Sequence, residues 1–336
     1  MGGGRRPPDH GSDPQLAVSL QIIPGKVVSR DDFVATHPPY SIALDGYARG
    51  EPFLEITPRG PYRNFNHHES VDRSCTSATC EQVRRAVILG VFDLYHGKHG
   101  PRATVWVNDC DQDVCLATWI LFHPQRAGEP WVRTLAYVED LLDMSAGGFP
   151  LPDQRDLLGE VRWVFEPYTA RRPFMSNLDA DGMARVLDEV HHRIERFLRG
   201  QGETLPLLGD YRVVGGGDSW VLVDIDHQHA RQKMVEAGVK AAVEVYSRAA
   251  DHYLYSIWRR SEYIVDFPVA EILRELNRAE GYDPDDMRGW GGSENVGGSP
   301  RGRGSRLTPE QVEVVVNQVV QRSHAARLAA ESRGED

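Results

Sequence analysis

Short apolar runs alternate with amphipathic stretches in the first half of the chain. Between Leu16 and about Pro150, three runs have the β-branched and aromatic character of strands, and stretches at 76–97 and 114–123 have the character of helices. The strands read SIALDGY (41–47), YRNFNHH (62–68) and ATVWVND (103–109). Repetition of strand, loop and helix predicts an α/β domain whose functional loops follow the carboxyl ends of the strands.

A different pattern follows in the second half. Residues 151–208 read as a helical connector, with apolar residues of DGMARVLDEVHHRIERFLRG (181–200) recurring at helical spacing. From 209 to about 330 the pattern predicts two strands around a glycine-rich turn, a helix at 229–250, a strand at 252–261, a helix at 269–280 and a last helix capped by Thr308. We therefore expect two α/β domains, the first with a mainly parallel sheet (16–150) and a smaller second one with a mixed sheet (209–330), after a disordered leader (1–15).

Composition narrows the possible partners. The chain has 336 residues, 40% of them hydrophobic, and a net charge of -11. This acidic balance disfavours long nucleic acid as a partner but leaves a small phosphorylated substrate open, because one pocket can be basic within an acidic protein. No apolar run is long enough to span a bilayer and no secretory signal precedes the first domain, so we expect no membrane partner and a cytoplasmic protein. A homodimer is left open.

Candidate metal ligands follow two of the predicted strands. His67 and His68 end the second strand, where both rings can reach one cleft, although a polar histidine pair capping the sheet is an equal alternative. Asp109, Asp111 and Asp113 alternate directly after the third strand, and carboxylates so close repel one another unless a cation neutralises them. Oxygen ligands suit Mg²⁺ or Mn²⁺, and added imidazole favours Mn²⁺. A solvated acidic turn is the alternative.

Other polar groups carry weaker signals. Asp140 and Asp143 precede a glycine-rich turn, which is ordinary at a helix end. The pair His191–His192 sits among charged residues and is interpreted as helix surface. Two matched cysteine pairs, Cys75 with Cys80 and Cys110 with Cys115, leave open a structural zinc site and hence an interaction protein. Arg259 and Arg260, with the loop GWGGSENVGGSPRGRGS (289–305), could cradle a phosphate, but a surface loop explains the glycines equally well.

Together these motifs resemble the DHH phosphoesterase superfamily with its DHH-associated C-terminal domain. The second domain has the Arg-Ser strand end (Arg260-Ser261), the stretch VDFPVAEIL and a glycine-rich loop, Gly291 to Gly298, in which Ser293 replaces the family's histidine. In the first domain, NHH (66–68) is similar to the DHH triplet, DQDVCLATWIL (111–121) to the Asp-x-Asp motif, and DMSAGGF (143–149) to a third family motif. The Asp-x-Asp motif follows the triplet here, whereas it precedes it in the family, as in a permuted domain.

The resemblance implies hydrolysis of a phosphoester at a site that holds two Mn²⁺ ions, or Mg²⁺. It assigns the metal ligands to Asp45, His67, Asp111, Asp113 and Asp143, and a catalytic contact with the phosphate or leaving group to His68. It assigns substrate binding to the second domain, at Arg260, Ser261, Gly291, Gly292, Ser293, Gly297 and Gly298. The expected substrate is a short oligonucleotide, a cyclic dinucleotide or a nucleotide bisphosphate. Because Asn66 and Ser293 depart from the family, the alternative is a catalytically weakened relative that binds a nucleotide or a partner.

Overall fold

Two six-stranded sheets and ten α-helices make up the described part of the chain. The computed structural model describes residues 16–151, 155–207, 209–225, 230–249, 252–284, 286, 288–300 and 303–333. The expected leader, 1–15, lies outside them. The strands are β1 (Ala17–Ile22), β2 (Ser41–Leu44), β3 (Phe53–Thr57), β4 (Gly60–Phe65), β5 (His96–Gly97), β6 (Gly100–Val107), β7 (Tyr211–Gly217), β8 (Trp220–Ile225), β9 (Ala241–Ala249), β10 (His252–Arg259), β11 (Gly291–Gly292) and β12 (Val296–Gly298). The helices are α1 (Arg30–Thr36), α2 (Thr79–Ile88), α3 (Val91–Leu94), α4 (Gln112–Phe122), α5 (Pro130–Met144), α6 (Arg155–Thr169), α7 (Ala180–Leu198), α8 (Arg231–Glu236), α9 (Val269–Glu280) and α10 (Pro309–Arg333).

The first sheet is mainly parallel, as the sequence predicted. Its order is β1-β6-β2-β4-β3, with the short β5 paired to β6. Strands β1, β6, β2 and β4 run parallel, while β3 and β5 pair antiparallel with their neighbours. Because β2 is central, every one of its side chains is buried. Parallel neighbours bring the carboxyl ends of β2, β4 and β6 to one edge of the sheet.

Both faces of this sheet are covered. Ile42 and Leu44 face a large core shared with α2, α4 and α5, and Ala43 faces a smaller aromatic core around Phe33 of α1. Buried residues of α6 and α7 belong to the same large core, so the helical segment after residue 151 packs on the first domain and does not span a gap. No helix in the described ranges is both long enough and apolar enough to cross a membrane.

The second sheet is mixed, as expected, but one of its strands was missed. Its order is β11-β12-β10-β9-β8-β7, with β8 and β9 parallel and the remaining pairs antiparallel. The single helix predicted at 229–250 is wrong: α8 ends at Glu236, and Gly238 takes a left-handed φ of 88° before β9 begins. Residues 241–245 are buried between two strands, and burial in a central strand outweighs the helix preference of their alanines.

The predicted helix at 76–97 also differs from the structure. Helix α2 begins at Thr79, not at Thr76, and Gly90 (φ 89°) separates it from the short α3. The residue before α2 is Ala78, which offers no side-chain cap. The N–H groups that open α2 must therefore find acceptors elsewhere in the fold, and they find them among the acidic residues described next.

Candidate metal centre

Three strand ends converge on one buried cluster of side chains. Asp45 directly follows β2, His67 lies two residues after β4, and Asp113 lies in the first turn of α4, shortly after β6. Asp143 joins them from the last turn of α5. The parallel arrangement of β2, β4 and β6 explains why residues so distant in sequence meet at this edge of the sheet.

His67 is at the centre of the cluster and is fully buried. Its Nε2 atom lies 2.9 Å from Oδ2 of Asp143, 3.4 Å from Oδ1 of Asp45 and 3.6 Å from Oδ2 of Asp113. Despite the short distance to Asp143, neither ring nitrogen makes a hydrogen bond of acceptable geometry. A buried imidazole without hydrogen bonds is costly, and a cation shared with the surrounding carboxylates would remove that cost.

The possible ligand atoms form two groups that share His67. One group is Asp45, His67 and His68, and the other is His67, Asp113 and Asp143, with the ligand atoms of each group within 4.8 Å of one another. Nε2 of His68 lies 2.8 Å from Oδ1 of Asp45, and about a third of the His68 side chain is exposed. These residues can hold a metal ion.

The start of α2 is capped by the acidic residues of the cluster. The N–H groups of Thr79 and Cys80 donate to the two carboxylate oxygens of Asp113 over 2.7 and 2.6 Å. The N–H of Ala78 donates to Asp140 over 2.6 Å. Hydrogen bonds from the positive end of a helix stabilise a buried carboxylate and fix its orientation. Asp113 is therefore held in place by backbone groups before any ion binds.

Asp45 occupies a left-handed backbone conformation, with φ of 48°, which is uncommon for a residue other than glycine. Its N–H donates to the carbonyl of Phe65 over 2.8 Å. The turn carries the Asp45 carboxylate into the cluster, where the hydroxyl of Thr79 donates to it over 3.1 Å. Such strained residues concentrate at functional sites because the surrounding structure holds them.

The charged groups of the cluster shift one another's pKa values strongly. Burial alone would raise the pKa of Asp45, but the rings of His68 and His67 outweigh it and hold that pKa well below its usual range. Burial would lower the pKa of His67, but the charges of Asp143 and Asp45 raise it well above the ordinary value. Burial, with repulsion from Asp45 and Asp143, raises the pKa of Asp113 to about 7. The carboxylates of the cluster thus compete for the positive charge of its histidines.

Asp111 stands apart from both ligand groups. It is the N-cap of α4, and its Oδ1 accepts from the N–H of Val114 over 2.9 Å. Burial, together with the charges of Asp45 and Asp109, nevertheless raises its pKa well above the usual range. The charges of the cluster therefore affect the pKa of Asp111, while its carboxylate serves as a helix cap.

Asn66 is buried beside the cluster, but its side-chain amide forms hydrogen bonds with backbone groups. Its Nδ2 donates to the carbonyl of Gly50 over 2.8 Å, and its Oδ1 accepts from the N–H of His68 over 3.1 Å. The carboxylate of Glu69 accepts from the N–H of Gly50 over 3.0 Å. These contacts join the loop after β4 to the segment near Gly50 and orient His68.

The residues expected to bind substrate gather at the end of β10. Strand β12 pairs with β10, so the turn between β11 and β12 lies beside Arg259, whose N–H donates to the carbonyl of Asn295 over 2.9 Å. Gly292, Gly297 and Gly298 are required by close backbone approach: an added Cβ would lie 2.3 Å from Gly297, 2.5 Å from Leu273 and 2.6 Å from Tyr255, respectively. Packing alone therefore accounts for these glycines. The assignment of Ser261, Gly291 and Ser293 to substrate stays a prediction.

Arg260 reaches the first domain. A Cβ added to Gly148, just after α5, would lie 3.5 Å from both Arg260 and Trp258. Nη1 of Arg231 donates to the carbonyl of Ala146 in the same segment. The segment that follows Asp143 thus contacts the second domain.

The cysteines do not form a metal site. Cys75 is exposed and the other three are buried as free thiols, and neither group of potential ligands found in the described ranges contains a cysteine. The thiol of Cys115 donates to the carbonyl of Cys110. The structural zinc alternative therefore has no support here. Partly buried His191, interpreted as helix surface, instead contacts the Cys115 carbonyl and the Thr118 hydroxyl through Nε2, each over 3.0 Å.

Sequence reasoning missed several residues around the cluster. Arg73 donates to Asp143, Thr79 donates to Asp45, and buried Glu139 lies near Asp143 and Asp113, whose charges add to burial in raising its pKa well above normal. No spacing in the sequence announces these contacts, because each joins residues that only the fold brings together. Of these residues, only Arg73 lies in a charged segment directly after the histidine pair, at 69–73.

No protein-family model matches this chain, and a search of curated proteins gives no match either. The geometry of the cluster is therefore the basis for inferring a function.

Proposed function

We propose that this protein is a metal-dependent phosphoesterase that hydrolyses a small phosphorylated substrate. One observation carries the proposal: the buried Nε2 atom of His67 faces carboxylates of Asp45, Asp113 and Asp143 within 3.6 Å and makes no hydrogen bond. A buried imidazole surrounded by carboxylates offers nitrogen and oxygen ligands together, and both are ligand types that divalent cations bind. The two overlapping ligand groups support a pair of ions, with Mn²⁺ favoured and Mg²⁺ the alternative.

Bound ions would act as Lewis acids on the phosphoryl group and would lower the pKa of an attacking water. The chain's own residues prepare the site for this chemistry. Asp113 is oriented by two backbone N–H groups and Asp45 by the hydroxyl of Thr79. His68 is the more exposed of the two histidines, so it is the one placed to contact a substrate phosphate or to protonate the leaving oxygen.

The second domain would supply the substrate contacts. Arg260 follows β10 and its side chain packs beside Gly148 of the first domain, which places Arg260 at the boundary between the domains. A guanidinium binds phosphate oxygens through paired hydrogen bonds. The net charge of -11 favours a short substrate, such as a short oligonucleotide, a cyclic dinucleotide or a nucleotide bisphosphate, over a long polynucleotide.

The resemblance to DHH phosphoesterases agrees with this proposal. The histidine pair, the acidic segment after β6 and Asp143 meet in one cluster although their order along the chain differs from the family order. Asn66 was the main reason to suspect weakened activity. Neither ligand group includes residue 66, whose amide instead binds backbone groups of Gly50 and His68. Asn66 therefore does not stand in the place of a ligand carboxylate. This favours an active enzyme over a nucleotide-binding relative without activity.

The test is release of product from a panel of short phosphodiesters and nucleotide monoesters, with Mn²⁺, Mg²⁺ or chelator. His67→Gln should abolish the metal-dependent hydrolysis, since it removes the residue shared by both ligand groups. His191→Gln is the matched control, because His191 is a partly buried histidine outside those groups. Absence of hydrolysis across the panel by folded wild-type protein, or full activity of His67→Gln, would refute the proposal.

A further inference from the structure

Arg73 is a buried arginine beside the metal centre. Only 8% of its surface is exposed, and its Nη2 donates to two oxygens of Asp143, the carbonyl over 3.3 Å and Oδ2 over 3.2 Å. Its Nε is buried and has no hydrogen-bond partner. Burying a guanidinium is unfavourable unless it is paired. The contact with Asp143 supplies the pairing that stabilises Arg73 in this buried position.

The same carboxylate oxygen joins Arg73 to the centre. Oδ2 of Asp143 lies 3.2 Å from Nη2 of Arg73 and 2.9 Å from Nε2 of His67. Asp143 occupies the last turn of α5, and about a quarter of its side chain is exposed. A carboxylate there has room to rotate toward solvent. Because Arg73 holds both its backbone oxygen and its side-chain oxygen, the carboxylate stays directed at His67.

The loop that carries Arg73 is itself fixed. Oδ1 of Asp72 accepts from the N–H of Ser74 over 2.8 Å and from its hydroxyl over 2.6 Å. The hydroxyl oxygens of Ser74 and Tyr263 lie 2.9 Å apart, which links this loop to the second domain. With the residues on either side held at the surface, the Arg73 side chain is directed inward.

We propose that Arg73 is a positioning residue that holds Asp143 in the geometry needed to bind a divalent cation. This rests on the proposed metal centre. Residues that hold a metal ligand in place change metal affinity or activity by 10- to 100-fold when they are replaced. Arg73 does not ligate the ion, since a guanidinium has no lone pair to offer.

The direction in which cation affinity changes when Arg73 is replaced distinguishes a positioning role from a simple effect of its charge. A positive charge next to the site repels a divalent cation, so removal of the charge alone would strengthen binding. Loss of the hold on Asp143 would weaken binding, because the ligand would have to be reoriented when the ion arrives. The two roles therefore predict opposite changes in affinity for Arg73→Met.

The experiment measures Mn²⁺ affinity of metal-free protein from the electron paramagnetic resonance signal of unbound Mn²⁺. We expect Arg73→Met to bind Mn²⁺ about 10- to 100-fold more weakly than wild type. Arg73→Lys keeps the charge and one donor group, so its affinity should fall between the two. Arg85→Met is the control: it removes an exposed arginine that pairs with Glu81 at 2.7 Å, and it should change affinity less than about twofold because such charges are screened.

Arg73→Met protein that binds Mn²⁺ as tightly as wild type, or more tightly, overturns the inference. Should Arg73→Met fail to fold, Arg73→Lys decides: weaker binding supports the inference and unchanged or tighter binding overturns it. Wild-type protein that binds no Mn²⁺ would refute the metal centre itself, and the role of Arg73 with it. Failure of this inference alone is recognised by tight Mn²⁺ binding in wild type and Arg73→Met alike.

Discussion

The hydroxyl of Thr79 donates a hydrogen bond to Oδ1 of Asp45 over 3.1 Å, and both residues are buried. Thr79 belongs to α2 and Asp45 follows β2, so this contact joins two of the segments that build the centre. The N–H of the same threonine donates to Asp113. A single residue therefore orients two of the proposed ligands, one through its side chain and one through its backbone.

Replacing Thr79 by Val should separate these roles, because it removes the hydroxyl and keeps the backbone N–H. We expect Mn²⁺ affinity to fall about 10-fold, as for other residues that orient metal ligands, and the free energy of unfolding to fall by about 1 kcal/mol. Titration with Mn²⁺ and urea unfolding in chelator measure the two effects. Thr79→Ser retains the hydroxyl and should bind Mn²⁺ like wild type; equal affinity in Thr79→Val would show that the hydroxyl is dispensable.

Asp111 and Asp113 should respond differently to the loss of charge. In Asp113→Asn a side-chain NH₂ must face one of the two N–H groups that open α2, and the carboxylate that belongs to a ligand group is lost. In Asp111→Asn the side chain remains a good helix cap. We expect Mn²⁺ affinity to fall at least about 100-fold in Asp113→Asn and much less in Asp111→Asn, measured by calorimetric titration. Equal losses would make Asp111 a ligand, as the sequence motif suggested.

His191 gives a prediction about pH. Burial lowers its pKa to about 4, from 6.5 in the unfolded chain. The unfolded chain therefore takes up this proton first, and stability decreases as the pH falls from about 6.5 to about 4, with no further loss from this group below that range. The decrease should be on the order of 3 kcal/mol.

The difference between wild type and His191→Gln isolates this contribution, because other groups titrate in the same range. Glutamine can still bond to the Cys115 carbonyl or the Thr118 hydroxyl but does not titrate. Urea unfolding at a series of pH values should show a flatter profile for His191→Gln between pH 6.5 and 4. Parallel profiles would mean that His191 is solvated in both protonation states.

The ion pair of Arg231 with Glu244 should be important for stability. Glu244 is 2% exposed, accepts from Arg231 over 2.9 and 2.6 Å, and also accepts from Nε1 of Trp258 over 2.7 Å. Arg231→Met leaves that carboxylate buried without its counter-charge, which should reduce the free energy of unfolding by about 3–5 kcal/mol. The measurement is urea unfolding.

Two further variants complete that test. Arg231→Met/Glu244→Gln removes both charges and should recover most of the loss. Arg212→Met breaks an exposed pair with Asp224, 2.9 Å apart, and should cost about 0–1 kcal/mol. A loss no greater in Arg231→Met than in Arg212→Met would contradict the assignment of the buried pair.

The sequence was most informative where local pattern and topology agree. His67 and Asp113 were found because each follows an apolar strand, and parallel strands end at the same edge. Asp45 also follows a strand, but the family resemblance selected it as a ligand. Asp143 had no comparable local signal, and only the family resemblance selected it. Its placement depends on the packing of α5 beside α2, a relationship that no short-range pattern encodes.

The failures have related causes. Strand β9 was taken for a helix because alanine and valine suit both structures when the neighbouring strands are unknown. Arg73 and Thr79 were overlooked because a cap or an ion pair between distant segments has no characteristic spacing. His191 was assigned to the surface because the residues beside it are charged, although its ring turns toward α4.

The proposed ligands enter the centre from separate stretches of chain, with Asp45 at one end of the series and Asp143 at the other. During synthesis the three strand ends emerge well before the end of α5. A nascent chain that stops short of Asp143 would already contain the whole first sheet and the ligand group of Asp45, His67 and His68, but would lack one member of the second group. If the proposed centre holds a pair of ions, the second ion would therefore be acquired only after α5 has been synthesised, and a first domain truncated before Asp143 would hold at most one.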